Sequence, residues 1–239
     1  MKSMKKEIYR NDTRGFFDYG WLKTYHSFSF SGYFDDKRIH FGKLRVLNDD
    51  TIAPASGFGL HPHDNMEIIT IPLSGELRHT DSEEHTQTIK PGEVQIMSAG
   101  TGIWHSEFNN SEKEPAILYQ IWIFPKEKDI KPSYDQKLFD TSLRKNKFQL
   151  LVSPEKSDDT LWINQDAYIS IADLDDNLEL EYKLNNPENG VFIMLTKGKI
   201  ESSGETLEKR DSISIYDISE LKIKAVGKAE LLIIEVPMR

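Results

Sequence analysis

Two pairs of residues in this chain could do chemistry together. In the stretch FGLHPHDNMEI, His61 and His63 are two apart. In GTGIWHSEFN, His105 and Glu107 are two apart. On an extended strand, residues i and i+2 project from the same face. Neighbouring strands lie under about 5 Å apart. Two such segments side by side therefore bring four nitrogen and oxygen donors around one point, which is a mononuclear metal site. Glu67 is a rival for the carboxylate, since its parity is right. It lies four residues past His63, roughly 13 Å further along an extended strand. Glu107 needs no bend in the chain and is the preferred fourth donor.

The sequence contains no cysteine. That excludes disulfides, iron–sulfur clusters, thiolate zinc sites and cysteine nucleophiles. An all-nitrogen-and-oxygen donor set suits Fe(II), Ni(II), Mn(II), Co(II) or Zn(II). With octahedral geometry, four protein donors leave two adjacent positions for small molecules. With tetrahedral zinc, the same four close the site and make it structural.

The elements that would position these donors are strands. Short apolar or alternating runs (KLRVLND, MEIITIPL, GELRHTD, EVQIMSA, AILYQIWIF, FQLLVS, AYISIADL, VFIMLTK, SISIYD, LKIKAV, AELLIIEV) are separated by turn residues. No long segment has clean helical periodicity. The pattern predicts an all-β chain built as sandwich or barrel units. A weak internal repeat predicts two of them. MEIITIPLSGEL followed by GEVQIMSAG is echoed by GVFIMLTKGKI followed by DSISIYDIS, with Gly75 opposite Gly198 and Gly92 opposite Asp211. Charge and Pro132 interrupt the strand pattern over residues 126–137. We therefore expect a metal-binding unit over residues 1–130 and a second unit over residues 131–239. Counting from the repeat glycines puts Leu184, Asn186, Lys224 and Val226 at the donor positions of the second copy. None of the four can build the site.

Composition narrows the function classes. The 239 residues carry a formal net charge of −9. Basic residues occur in short groups followed closely by acidic ones, so no stripe for nucleic acid is present. No run of about 18 apolar residues predicts a membrane span. The opening MKSMKKEIYRND is not followed by the apolar stretch of a secretory signal. The expectation is a cytoplasmic protein. Phosphate loops, dinucleotide fingerprints and GxSxG elbows are absent.

The donor segments also carry a resemblance. HPHDNMEIITIPLSGEL through PGEVQIMSAGTGIWHSEFN resembles the first cupin unit of the pirin family, and WLKTYHSFSFSGYFDD with FGKLRVLNDD resembles that family's N-terminal arm. LYQIWIFPKE followed by PSYDQ extends the likeness, which covers roughly residues 8–137 and is diffuse beyond. Gly57, His61, His63, Glu67 and Gly75 fit the general cupin pattern. The proline usual near Ser98 is missing, as in pirins. The resemblance implies a bicupin of two tandem β-sandwich or β-barrel units, with a second, degenerate cupin. It carries the metal-ligand roles onto His61, His63, His105 and Glu107. It implies one divalent ion, with Fe(II) first and Ni, Mn, Co or Zn as options. It also implies a quercetinase-type dioxygenase that opens the ring of a planar flavonol with dioxygen and loss of carbon monoxide. By that analogy Glu107 is the catalytic base for the flavonol 3-hydroxyl. Phe58, Met66, Trp104 and Phe108 flank the donors, and His26 and His79 are candidates for outer hydrogen bonds or the entrance. The alternative function is a metal- or redox-sensing regulator acting through a protein partner without turnover. A monomer suits the two-unit design.

Overall fold

The computed structural model describes residues 3–239. Strands dominate, and the only helical pieces among the described residues are two short 3-10 turns, Asn11–Thr13 and Thr141–Arg144. No helix is long and apolar enough to cross a membrane.

The strands form two large and two small sheets. The first large sheet has the order Ser133–Leu138, Glu93–Ser98, Glu67–Ser74, Ala116–Ile123, Leu44–Ile52, Leu22–His26, Gly15–Asp18. The first small sheet runs Gly57–His63, Ile103–Asn109, Leu77–Asp81, Thr86–Ile89. The second large sheet repeats the order with Lys5–Tyr9, Ser212–Tyr216, Asn189–Lys197, Ala229–Pro237, Tyr168–Leu174, Gln149–Ser153, Leu161–Trp162. The second small sheet is Glu179–Lys183, Glu220–Ala225, Lys199–Ser202, Glu205–Glu208. The chain is thus a bicupin, as its repeat and resemblance imply.

Gly75 and Gly198 end the equivalent long strands in the left-handed region, at φ 72° and 83°. A Cβ on Gly75 would lie 2.5 Å from the Pro115 carbonyl oxygen, and one on Gly198 would run into the Lys228 carbonyl. Both turns therefore exclude any side chain. The partner of Gly92 (φ 92°) is Arg210 (φ 70°), one residue before the expected Asp211. Pairing registers also shift the second-copy donor positions. Tyr182 opposite Leu221 matches His61 opposite His105, and Ile223 opposite Ser202 matches Glu107 opposite His79. Counting along the sequence misses these positions because loop lengths differ between the copies.

The two large sheets share one apolar core. Ile69, Ile71, Tyr119, Ile121 and Ile123 meet Phe192, Met194, Leu232, Ile234 and Val236 there. The second unit has an apolar cluster of its own, with Tyr182, Leu221, Ile223 and Ala225 among its members, and the buried Glu235 carboxylate accepts from the Tyr182 hydroxyl at 2.8 Å. In the first unit, two smaller apolar clusters, one around Ile52, Leu77 and Leu118 and one around Ile68, Met97 and Ile103, flank a polar middle.

Sheet membership does not follow a division at 130/131. Ser133–Leu138 pairs with Glu93–Ser98 in the first large sheet, while Lys5–Tyr9 pairs with Ser212–Tyr216 in the second. Each unit thus takes its outer strand from the other side of that division. Tyr9 carries the N-terminal strand into the shared core, its ring 5.2 Å from that of Phe192 and 5.9 Å from that of Phe28. Removing a fully packed aromatic ring costs about 3–5 kcal/mol. Tyr9→Ala should lower unfolding stability by that amount in urea titrations. A loss well under about 1 kcal/mol would show that the strand is not docked in solution.

Candidate metal centre

The histidines lie on the inward face of the first small sheet. His61 is the direct cross-strand partner of His105, and His63 is opposite Ile103. The register then slips, so that Glu107 faces Phe58. This bulge gives the Gly57–His63 strand an extra residue and turns Phe58 to the same side as His61, re-aiming side chains as bulges next to sites do. Gly57 lies against the partner strand, where a Cβ would fall 2.5 Å from the Phe108 Cα. Leu60 and Trp104 take the opposite parity and stand on the outward face, 67% and 50% exposed.

Nitrogen atoms of His61, His63 and His105 all lie within 4.8 Å of one another. The His61–His105 ring centroids are 4.4 Å apart and the His63–His105 centroids 4.9 Å. Glu107 does not join all three histidines within that limit; it groups with His79 and His105. Its carboxylate is fully buried in a polar belt. Gln120 Nε2 donates to Oε2 at 2.9 Å, and the Thr70 hydroxyl lies 3.4 Å from Oε1. Glu67, the rival carboxylate, belongs to neither group. It accepts from the Ser98 hydroxyl at 2.8 Å and from the Asn164 N–H at 3.1 Å, and so ties the first unit to the second.

Burial keeps the His63 and His105 imidazoles neutral. Burial, with the neighbouring His61, pushes His63 down to about 4. Burial together with His61, His63 and His79 pushes His105 down to about 2. Neutral rings offer lone pairs. The His61 Nδ1 is 2.8 Å from the Gly59 carbonyl oxygen. A carbonyl only accepts, so Nδ1 carries a proton and Nε2 is the nitrogen left to face an ion. The His105 Nε2 is buried with no hydrogen-bond partner. An orphaned buried polar atom of this kind costs about 1–3 kcal/mol, and a metal ion would remove that cost. Burial, reinforced by Asp50, raises Glu107 to about 7. A cation beside a carboxylate in such a place favours its charged form. These residues fit a metal ion.

The flanking residues divide. Phe58 lies 6.3 Å from the His61 ring and Trp122 meets the His63 ring edge-on at 4.8 Å. Met66 packs in an apolar cluster with Trp122. His26 is two rings away, against Phe30, which in turn contacts Trp122. His79 touches His105 directly, with Nδ1 to Nδ1 at 3.4 Å. Sequence reasoning missed Asp81, whose carboxylate accepts from His79 Nε2 at 3.0 Å. Its signal was available, since His79 and Asp81 form a third i, i+2 pair in LRHTD. Gln120 and Thr70 were also missed. They are the polar residues inside otherwise apolar runs.

Comparisons with known proteins point one way. The Pirin family model matches residues 8–123, and the model of the quercetinase C-terminal cupin domain matches residues 150–236. The chain is 40% identical over 224 residues to the quercetin 2,3-dioxygenase of Escherichia coli strain K12, covering 94% of this chain and 95% of that protein. It is 40% identical to a pirin-like protein of Caulobacter vibrioides, over 94% of this chain and 96% of that one. Among solved structures, YhhW from Escherichia coli superposes with a TM-score of 0.93 at 38% identity, over 98% of both chains. The bacterial pirin YhhW in complex with nickel(II) gives 0.92 at 37% identity, over 98% of this chain and 99% of that one.

Burial raises Glu67 to about 7, against the lowering effect of Ser98 and Asn164. A carboxyl whose pKa is higher in the folded than in the unfolded chain contributes stability at low pH. That contribution is lost as pH rises through the folded value, here about 7. Glu67→Gln keeps an acceptor without the titration. Its melting temperature relative to the parent should rise between pH 5 and pH 8, and its metal content should be unchanged. Loss of metal in this variant would place Glu67 among the ligands.

Proposed function

The chain belongs to the pirin family, and from that premise we propose that it is a metal-dependent dioxygenase opening the ring of a flavonol such as quercetin. The observation that carries the proposal is the cluster of three imidazoles, with an unpartnered buried His105 Nε2, next to the buried Glu107 carboxylate. The name of the Escherichia coli relative, quercetin 2,3-dioxygenase, supports the substrate class, and the nickel(II) complex of YhhW supports the ion.

In this reading His61, His63, His105 and Glu107 hold one divalent ion, Fe(II) in first place and Ni(II), Mn(II), Co(II) or Zn(II) as alternatives. The ion supplies a Lewis acid and a meeting place for substrate oxygen and dioxygen. The rest is done by the chain. Imidazole ligands bring no charge, so the ion's positive charge would be balanced by a carboxylate and an ionised substrate. Glu107, held as a carboxylate beside the ion, is the group placed to accept the proton of the flavonol hydroxyl. Gln120 and Thr70 keep that carboxylate from swinging away. The faces of Phe58 beside His61 and Trp122 beside His63 offer flat apolar walls to a planar aromatic substrate.

One observation favours a second reading, regulation through a protein partner. Leu60 and Trp104 form an exposed apolar strip on the outward face of the very strands that carry the histidines. A partner seated there would sense the occupancy of the site through the shared backbone.

Elemental analysis of purified protein should find about one transition-metal ion per chain, and quercetin absorbance should decay until a chelator is added. His61→Ala or His105→Ala should strip most of the metal. Glu107→Gln should retain part of it while turnover falls at least about 100-fold, the low end of what a positioned base contributes. Full turnover in that variant removes Glu107 as the base. One metal per chain with no quercetin decay favours the regulator, and no metal after reconstitution overturns the centre.

A further inference from the structure

The inward face of the small sheet carries a chain of contacts that the ligand assignment does not use. Asp81 sits opposite His105, and His79 opposite Glu107, on the strand that flanks the ligands on the side away from His61. Asp81 is tightly held: it accepts from the backbone N–H groups of Glu83 and His85 at 2.9 and 3.1 Å, and its Oδ2 lies 3.0 Å from His85 Nδ1. Burial alone would raise its pKa, yet the hydrogen bonds from His79 and His85 outweigh it and hold the pKa below the ordinary carboxylate value. The Tyr134 ring stacks on His79 at 4.7 Å and on His85 at 5.2 Å. It fixes both imidazole planes.

Proton positions follow from what each atom can do. A carboxylate only accepts, so His79 Nε2 carries a hydrogen and donates it to Asp81 at 3.0 Å. A neutral His79 then has a bare Nδ1, which can only accept. Its partner at 3.4 Å is His105 Nδ1, which must therefore carry the proton. His105 is left with a lone pair on Nε2, the nitrogen that has no partner in the protein. We infer that His79, anchored by Asp81, is a positioning residue that locks His105 in the Nδ1–H tautomer and aims its bare Nε2 at the metal.

This rests on the reading of the first cluster as the metal centre, and it adds a distinction that cluster geometry leaves open. Two overlapping groups share His105: one with His61 and His63, the other with His79 and Glu107. The 3.4 Å contact occupies the His105 Nδ1 on the His79 side. That leaves Nε2 as the His105 nitrogen free for an ion. The hydrogen-bond chain assigns Nε2 to the ion and makes His79 a support for a ligand. Metal-bound histidines commonly have their other nitrogen fixed in this way, and losing the partner costs about 10–100-fold in metal affinity.

The test uses the full-length protein and two variants. His79→Phe fills the space but offers no acceptor; His79→Gln keeps a carbonyl oxygen that can take the His105 proton. Long-range proton–nitrogen NMR spectra of the metal-free parent read the His105 tautomer directly, and Co(II) competition against a chromophoric chelator reads affinity. We expect the Nδ1–H form in the parent and about 10–100-fold weaker Co(II) binding in His79→Phe at unchanged one-to-one stoichiometry. We expect most of that loss to be recovered in His79→Gln. An Nε2–H form of His105 in the parent overturns the inference, as does undiminished Co(II) affinity in His79→Phe. Loss of the bound ion from both variants would make His79 a ligand and overturn it too. If His79→Phe does not fold, the parent tautomer and the His79→Gln affinity still decide. A parent with the Nδ1–H form that binds no Co(II) refutes the metal centre while leaving the hydrogen-bond chain in place.

Discussion

The structure depends on the strict two-residue alternation of two central strands, Glu67–Ser74 and Ala116–Ile123. Ile69, Ile71, Tyr119, Ile121 and Ile123 face the other large sheet and build the shared core. Thr70, Gln120, Ile68, Leu118 and Trp122 face the other way, into the first unit. Because strand side chains alternate without exception along a regular stretch, the same backbone serves both purposes. Core packing on one side fixes the position of the polar groups on the other. A one-residue slip would exchange Gln120 with Tyr119 or Ile121 and would put an amide in the shared core. The precision of the site is thus inherited from the tightness of that core.

That arrangement explains why a buried polar belt is tolerated. Glu107, Gln120, Thr70, Asp50 and the histidines sit between two apolar plugs, with Leu77 and Leu118 at one end and Met97 and Ile103 at the other. Buried carboxyls and imidazoles cost free energy unless they are paired. Burial raises Glu107 and Asp50 to about 7 and lowers His63 and His105. All four shifts are in the direction that favours the uncharged group. A divalent ion reverses the balance for Glu107 and satisfies the His105 Nε2. The second unit resolves the same geometric space differently. Tyr182, Leu221 and Ile223 stand where His61, His105 and Glu107 stand in the first, and its buried carboxylate, Glu235, is satisfied by Tyr182 and the side chains of Asn185 and Asn189. One copy thus keeps a cluster of imidazoles and the other has none. The shared core joins them.

Much of this was legible in the sequence because i, i+2 pairs are the natural unit of a sheet. His61 with His63 and His105 with Glu107 needed only the assumption of extended backbone, and the repeat glycines needed only the recognition that a turn there excludes a side chain. The second-copy positions were displaced because counting residues ignores loop length, whereas hydrogen-bond register does not. Polar residues embedded in apolar runs, Thr70 in MEIITIPL and Gln120 in AILYQIWIF, carried a signal that hydrophobicity alone averages away. The outer strands were not legible. KKEIY and SYDQKL are short and mostly polar, and nothing local says which sheet each will join.

Those two outer strands bear on the chemistry as well as the architecture. Lys5–Tyr9 is added to the second unit, Ser133–Leu138 to the first, in the same place at the edge of each large sheet. The first exchange inserts Tyr9 among Phe28, Phe41 and Phe192 of the shared core. The second brings Tyr134 over His79 and His85, so that a residue from beyond the seam holds the imidazole that contacts His105. Asn164, from the second unit, likewise donates its backbone N–H to Glu67 at the start of the central strand. The proposed metal centre lies wholly on the first small sheet, yet its supports come from both sides of the seam. A first unit cut off at residue 130 would keep all four donors but lose Tyr134 and the partner of Glu67. The second cupin, though it has no donors of its own, is therefore part of what holds the first one's donors in place.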